Sequence, residues 1–249
     1  MINSKHLERL WLWFFPRRCV WCAGVAAPDE TVCADCAGNA GPVLPPGVLP
    51  DLSQRICGFA GDPGVDIPLV SVFTYHSMAQ RILMNLKFHG GRSLAPSIGY
   101  AMADALAISG LAASHLADKP GWLFCCIPMT PAKVKERGYN QSELLANAAA
   151  RRLGLEHAPG LLIKTRETPA QHGLSRAQRL TNVIGAFAAA DPGRIAGRSI
   201  VLCDDTCTTG ATLHEAARIL REAGAGELLC LTFLRTDLDL EEENDTIEV

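Results

Sequence analysis

One stretch constrains this chain more than any other: Ser-Ile-Val-Leu-Cys-Asp-Asp-Thr-Cys-Thr-Thr-Gly-Ala-Thr-Leu, residues 199–213. Residues 200–203 form an apolar run that reads as a buried strand. Two carboxylates, Asp204 and Asp205, stand at its C-terminal end, and residues 208–212 supply a turn of small residues. A helical pattern follows, with Leu213, Ala216, Ala217 and Leu220 on one face and Gly224 placed to end it. Residues 227–234 then read as the next strand. Strand, turn, helix and strand in this order imply an α/β sheet, and open sheets of that kind bind ligands at the carboxyl ends of their strands.

The order of parts also restricts the ligand. Backbone N–H groups at a helix start, beside a glycine that permits close approach, suit a phosphate. The hydroxyls of Thr208, Thr209 and Thr212 add donors. Two carboxylates just upstream suit sugar hydroxyls, directly or through Mg²⁺. Phosphate and vicinal hydroxyls together describe a ribose 5-phosphate. A Walker A loop is excluded because the turn has no Gly-Lys-Ser/Thr, and a dinucleotide fingerprint because it has no G-x-G-x-x-G.

Residues 201–212 resemble the phosphoribosyl pyrophosphate (PRPP) motif of type I phosphoribosyltransferases. The resemblance implies that Asp204 and Asp205 contact the ribose hydroxyls and that Thr206, Thr208, Thr209, Gly210, Ala211 and Thr212 form the PRPP-binding segment around the 5-phosphate. Further stretches narrow it to ComF-type proteins, which join such a domain to an N-terminal zinc ribbon. Arg137-Gly138-Tyr139-Asn140-Gln141 matches the ComF pattern Arg-Gly-aromatic-Asn-Gln. It follows the strand candidate at residues 122–127, after which type I enzymes bind pyrophosphate. Arg137 offers a planar fork to phosphate oxygens. Asn140 equally suits an N-cap, and Gln141 has no single reading. Arg166, Thr168, Gln171, Leu174, Ser175, Arg179 and Asn182 fit a ComF pattern that implies a flap over PRPP, with Arg166 among its cations. Lys87, in Lys-Phe-His-Gly-Gly-Arg92, either meets the diphosphate or is a surface cation at a helix end, and the same choice applies to Arg92.

Near the N-terminus, Cys19-Val-Trp-Cys22 and Cys33-Ala-Asp-Cys36 are two Cys-x-x-Cys turns separated by ten residues. Each aims two thiolates at one ion, and together they can close a tetrahedral Cys₄ zinc site. Cys57 stands alone where many ComF relatives carry a second pair, so one structural zinc is expected. Ten cysteines without a secretory signal fit reduced thiols, and the apolar run at 10–15 is shorter than a signal needs. No apolar run reaches the roughly 18–20 residues that cross a bilayer. A cytoplasmic protein is the economical expectation.

The formal net charge of −3 excludes a generally basic nucleic-acid coat, though not a local patch. Trp11, Trp13, Arg17, Arg18 and Trp21 lie in or beside the ribbon and suit either local packing or stacking on bases. Strands are expected at 69–75, 122–127 and 161–164, with helices at 78–88, 94–113 and beyond Gln141. The expected organisation is a lead-in and zinc ribbon at 1–40 and a Pro/Gly-rich connector at 41–68. A phosphoribosyltransferase-like parallel sheet flanked by helices follows at 69–236, then an acidic tail at 237–249. The expected function is Mg²⁺-dependent transfer of ribose 5-phosphate from PRPP to an unidentified acceptor, with Arg137, Lys87 and Arg166 on the departing pyrophosphate. The rival expectation is a module for single-stranded DNA in natural transformation, acting with competence proteins and with PRPP as regulator or absent. The oligomeric state is open, a homodimer included.

Overall fold

A computed structural model describes residues 19, 24–27, 33–35, 55–56, 67–74, 77–88, 91–109, 121–168 and 181–235. In chain order the elements are β1 (Arg55–Ile56), β2 (Ile67–Thr74), α1 (Ser77–Phe88), a 3-10 turn (Gly91–Leu94) and α2 (Ala95–Ile108). Then come β3 (Leu123–Cys126), α3 (Pro131–Arg137), α4 (Gln141–Leu153), β4 (Glu156–His157) and β5 (Leu162–Lys164). Last are β6 (Phe187–Ala189), α5 (Pro192–Ile195), β7 (Ile200–Cys207), α6 (Ala211–Glu222) and β8 (Leu228–Arg235).

The central sheet has the order β1-β2-β8-β7-β3-β4. All neighbours are parallel except β1, which pairs antiparallel with the start of β2. Residues 200–203 are buried without alternation because β7 lies in the interior of a parallel sheet covered on both faces. Strand residues alternate between two cores. Val70, Phe124, Val201, Leu231 and Phe233 meet α1, α2 and α4 through Leu86, Ile98, Met102 and Leu145. Leu69, Leu123, Ile200, Leu202 and Leu228 meet α6 and the β5–β6 ribbon through Leu213, Ala217, Leu220 and Phe187. The sheet is thus sandwiched between helices on one side and a helix plus a short ribbon on the other.

Four details differ from the sequence reading. First, β7 runs on to Cys207, so Asp204 and Asp205 lie within the strand rather than after it. Pairing with β8 carries it on, as Asp204 lies opposite Thr232 and Thr206 opposite Leu234. Second, residues 131–137 form a helix that the sequence reading does not include. Pro131 sits at its first position, where the missing N–H costs nothing, and Thr130 caps it by accepting the Lys133 N–H at 3.5 Å. Third, β5 does not join the central sheet. It pairs antiparallel with β6, a strand the sequence pattern does not announce. Fourth, β1 and the first residues of β2 fall in the segment read as connector.

Among the described residues, no helix is long and apolar enough to cross a membrane. The second cysteines of each pair, Cys22 and Cys36, lie outside the described residues, as do Cys57, His89, His115, residues 169–180 and the acidic tail.

Candidate functional site

The strand order places a crevice beside β7. From β3 the chain crosses outward to β4, and from β7 it crosses the other way to β8. The gap between β3 and β7 is therefore the topological switch point, where parallel α/β sheets accept ligands. β3 ends at Cys126, opposite Cys203, and the Ile127 N–H closes that pairing on the Cys203 carbonyl at 2.9 Å. From Asp204 onward β7 is paired only with β8, so its carboxylates border the crevice.

Helix α4 begins at the same place. Its cap, Asn140, accepts the Ser142 N–H at 3.1 Å and donates from Nδ2 to the Ile127 carbonyl at 3.0 Å. The cap reading of Asn140 is therefore realised, and the same side chain fixes the helix start to the end of β3. Gly138, at φ +86°, ends α3 in the left-handed conformation that lets the chain turn directly into α4. The Tyr139 hydroxyl donates to the Leu86 carbonyl in the last turn of α1 and so draws that helix to the site.

Side chains from three elements then meet the carboxylate pair. Lys87, in the last turn of α1, lies 2.9 Å from Asp205 Oδ2. Gln141 donates to the same oxygen at 3.1 Å and accepts from Arg137 Nη1 at 2.6 Å. Ser142 donates to Asp204 Oδ1 at 2.7 Å, and the Asp205 N–H reaches that oxygen at 2.9 Å. Asp205, Gln141 and Ser142 are all buried. Loss of water and the neighbouring Asp205 charge push the Asp204 carboxyl up to about 7, against the opposing pull of Ser142, the Asp205 N–H and Lys87.

The carboxylates retain capacity for a ligand. Asp204 Oδ2 and Asp205 Oδ1 accept no hydrogen bond from a described residue. Two such oxygens suit sugar hydroxyls or a hydrated Mg²⁺, a hard cation that takes oxygen ligands. Past β7, Gly210 adopts φ +76° at the cap of α6. Glycine takes that left-handed conformation without steric cost, and the Ala211 N–H donates to the Thr209 hydroxyl at 3.3 Å. Thr206 lies between carboxylates and cradle, within β7.

Arg166 stands elsewhere. Its Nη2 donates to the carbonyls of Asn182 at 2.9 Å and Ile184 at 2.7 Å, and it is exposed. Those contacts join the two chain segments on either side of residues 169–180, and none reaches Asp204, Asp205 or Arg137. Arg92 is exposed on the 3-10 turn.

Three groups escaped the sequence reading. Ser142 follows directly on the Arg-Gly-Tyr-Asn-Gln segment, and its place at the second position of a helix was the available signal. Lys164 leaves β5 to donate to the Thr168 hydroxyl at 3.0 Å, and its ammonium lies 5.7 Å from the centre of the Phe187 ring. Burial and the Lys133 charge lower its pKa, while Glu167 and Asp204 raise it. Glu167 accepts from Thr130 and pairs with Lys133 at 3.7 Å. The ribbon therefore stands over the same crevice, a neighbourhood no local pattern announces.

At the N-terminal end, Cys19 and Cys33 are both buried and belong to the same apolar cluster as α1, α2 and α4. The Cys19 N–H donates to the Gly24 carbonyl at 2.7 Å. Among the described residues no group of three or more metal-ligating side chains assembles, and two of the four cysteines expected to bind zinc lie outside them. The sheet thiols are of another kind. Burial pushes Cys125 and Cys207 up to about 12 and raises Cys126, Cys203 and Cys230, so they fill the core as neutral groups.

The chain is similar to known proteins. Residues 140–247 match the phosphoribosyl transferase domain family. The chain is 28% identical over 220 residues to the DNA utilization protein YhgH of Escherichia coli O157:H7, covering 88% of this chain and 90% of that protein. It is 26% identical over 213 residues to the competence protein ComFC of Streptococcus pneumoniae, covering 83% and 89% respectively. It is 33% identical over 103 residues to the competence protein F of Haemophilus influenzae, covering 41% of this chain and 45% of that one.

Proposed function

Because the chain belongs to the ComF family and carries its phosphoribosyltransferase-type domain, we propose that the β3–β7 crevice binds PRPP with Mg²⁺ and transfers its ribose 5-phosphate to an acceptor, releasing pyrophosphate. One observation carries the reading. Two carboxylates, each with one oxygen that accepts no hydrogen bond from a described residue, lie at the switch point with the glycine-capped 208–212 turn and two cations, Lys87 and Arg137.

The residues divide the work by charge. Asp204 and Asp205 hold the ribose hydroxyls, and the 208–212 amides and hydroxyls hold the 5-phosphate. Asp204 and Asp205 are the residues that would hold Mg²⁺, which would supply neutralisation of charge on the leaving group. As the C1–O bond breaks, its electron pair leaves with pyrophosphate, and positive charge develops on the ring. Arg137 and Lys87 meet the negative charge on the pyrophosphate, and a fixed donor placed there is worth more than water. A lone pair of the acceptor then forms the new bond at C1, and the acceptor loses a proton. Arg166 acts on the chain around the flap rather than on the pyrophosphate.

Pyrophosphate release from PRPP and Mg²⁺, followed across a panel of nucleobases and amines, is expected to depend on one class of acceptor. No release with any of them, together with no thermal shift from PRPP, refutes the reading. The names of the relatives, DNA utilization and competence, favour a second one: a PRPP-regulated module that handles single-stranded DNA during uptake. Salt-dependent binding of labelled single-stranded DNA in the same preparation tests it, and no binding at low salt removes it.

The zinc ribbon is likewise a proposal, supported by the burial of Cys19 and Cys33 in one cluster and by the paired spacing. Metal analysis is expected to find close to one zinc per chain. Replacing Cys19 and Cys22 together should abolish it, since a Cys₄ site with half its ligands no longer closes. A cytoplasmic setting, where thiols stay reduced, fits that proposal.

A further inference from the structure

We propose that Gln141 is a positioning residue that ties the cation at the pyrophosphate end of the site to the carboxylate at the ribose end, so that the two ends are ordered together. The inference rests on the PRPP reading above and assigns a role to a side chain that reading leaves idle.

The geometry leaves the amide no choice of orientation. Arg137 can only donate and an ionised Asp205 can only accept. Gln141 therefore turns Oε1 to the guanidinium, at 2.6 Å, and Nε2 to Asp205 Oδ2, at 3.1 Å. Lys87 shares that carboxylate oxygen at 2.9 Å, so Arg137, Gln141, Asp205 and Lys87 form one continuous chain of polar contacts. Three of its four members come from different elements, the ends of α1 and α3 and the strand β7, and the fourth is the first residue of α4. Gln141 is 8% exposed and Asp205 5% exposed, so water does not substitute freely for either contact. An anion that draws Arg137 toward itself thus pulls on the side chain that orients Asp205, and a sugar that engages Asp205 does the reverse.

Replacement by Glu separates this role from a packing role. Glu keeps length and accepts from Arg137, but it has no N–H for Asp205 and sets a second negative charge against it. In the first turn of a helix, Glu is also favoured by the dipole. A residue that merely completes α4 would therefore tolerate Gln141→Glu, with an unchanged or raised melting temperature and unchanged ligand affinity. A relay would not. Gln141→Met keeps the length and removes both hydrogen bonds without adding charge.

The test is titration calorimetry on the full chain with PRPP plus Mg²⁺ and, separately, with inorganic pyrophosphate. PRPP affinity should fall about tenfold to a hundredfold in Gln141→Met, the size of losing a hydrogen bond to a charged group, and by more than any loss of melting temperature accounts for. Pyrophosphate, which engages the cations Arg137 and Lys87 but brings no ribose to Asp205, should lose less. Arg137→Ala should cost PRPP affinity in the native background and much less in the Gln141→Met background. If both Gln141 variants bind PRPP as the native chain does, if their losses track lost stability, or if the Arg137 and Gln141 effects add, the relay is wrong while the PRPP reading stands. If the native chain binds neither PRPP nor pyrophosphate, that reading falls and takes the relay with it.

Discussion

Asp205→Asn is expected to weaken PRPP binding at least a hundredfold, and the native chain to lose PRPP affinity as the pH falls through about 7. The substitution removes the charge that faces Lys87 at 2.9 Å and turns an amide N–H toward one of two donors, Lys87 or Gln141. Each hydrogen bond that the charged carboxylate makes to ribose contributes about 1.5–3 kcal/mol, and losing two such contacts exceeds a hundredfold in affinity. The pH arm belongs to Asp204, whose carboxyl is pushed up to about 7 by burial and by Asp205. Below that value it carries a proton and no longer serves as a pure acceptor for ribose hydroxyls or a cation. Affinity should then fall about tenfold per pH unit, as for any single proton that must leave before binding.

Folding stability should move the other way. The folded chain holds the Asp204 proton to about 7, whereas an unfolded Asp releases it near 3.9. Between those values the folded state binds more protons than the unfolded state. The contribution of this group to stability is therefore fully present below the lower value and is lost as pH rises to the upper one. Calorimetric titration with PRPP and thermal melts without it, both from pH 5 to 8.5, should give opposite slopes. Parallel slopes, or full PRPP binding by Asp205→Asn, would show that the carboxylates do not hold the sugar.

Gly99→Val is expected to cost about 3 kcal/mol and to lower the melting temperature by about 6–12 °C. Gly99 lies in α2 where that helix crosses α4. A Cβ added there would meet the Ala148 Cβ at 2.5 Å and the Leu145 carbonyl oxygen at 2.8 Å. The second contact is with backbone, so no rotamer change relieves it. Even Gly99→Ala, which gains about 1 kcal/mol of helix propensity in an open helix, should come out destabilising here. The consequence reaches the site, because α4 carries Asn140, Gln141 and Ser142 at its start. A helix pushed away from α2 moves the two donors off the carboxylates, and PRPP affinity should fall in the fraction that remains folded. Thermal melts and calorimetry on the same variants check both parts. A stable Gly99→Val chain with native affinity would mean that the helices separate without disturbing the strand ends.

Local chemistry settled much of this protein in advance. The apolar run before Asp204, the small turn closed by Gly210 and the capping pair of Asn140 and Gly138 each specify their own conformation through neighbours a few residues away. That is why the parallel sheet and the start of α4 were legible, and why Lys87, Arg137, Asp204 and Asp205, which the fold brings together, could be named as candidates. The direction of Arg166 was not legible for the same reason. Its charge is visible in the chain, but its direction depends on carbonyls 16 and 18 residues further on.

What only the tertiary structure decided is who shares a charge with whom. Ser142 and Gln141 reach carboxylates 62 and 64 residues away, and the length of β7 past Cys203 depends on pairing with β8. Contacts at such separations are set by strand order and helix packing, which a linear pattern does not carry. The chemical groups of the site were therefore written in the chain, while their protonation, their partners and the crevice they border exist only once the sheet has assembled.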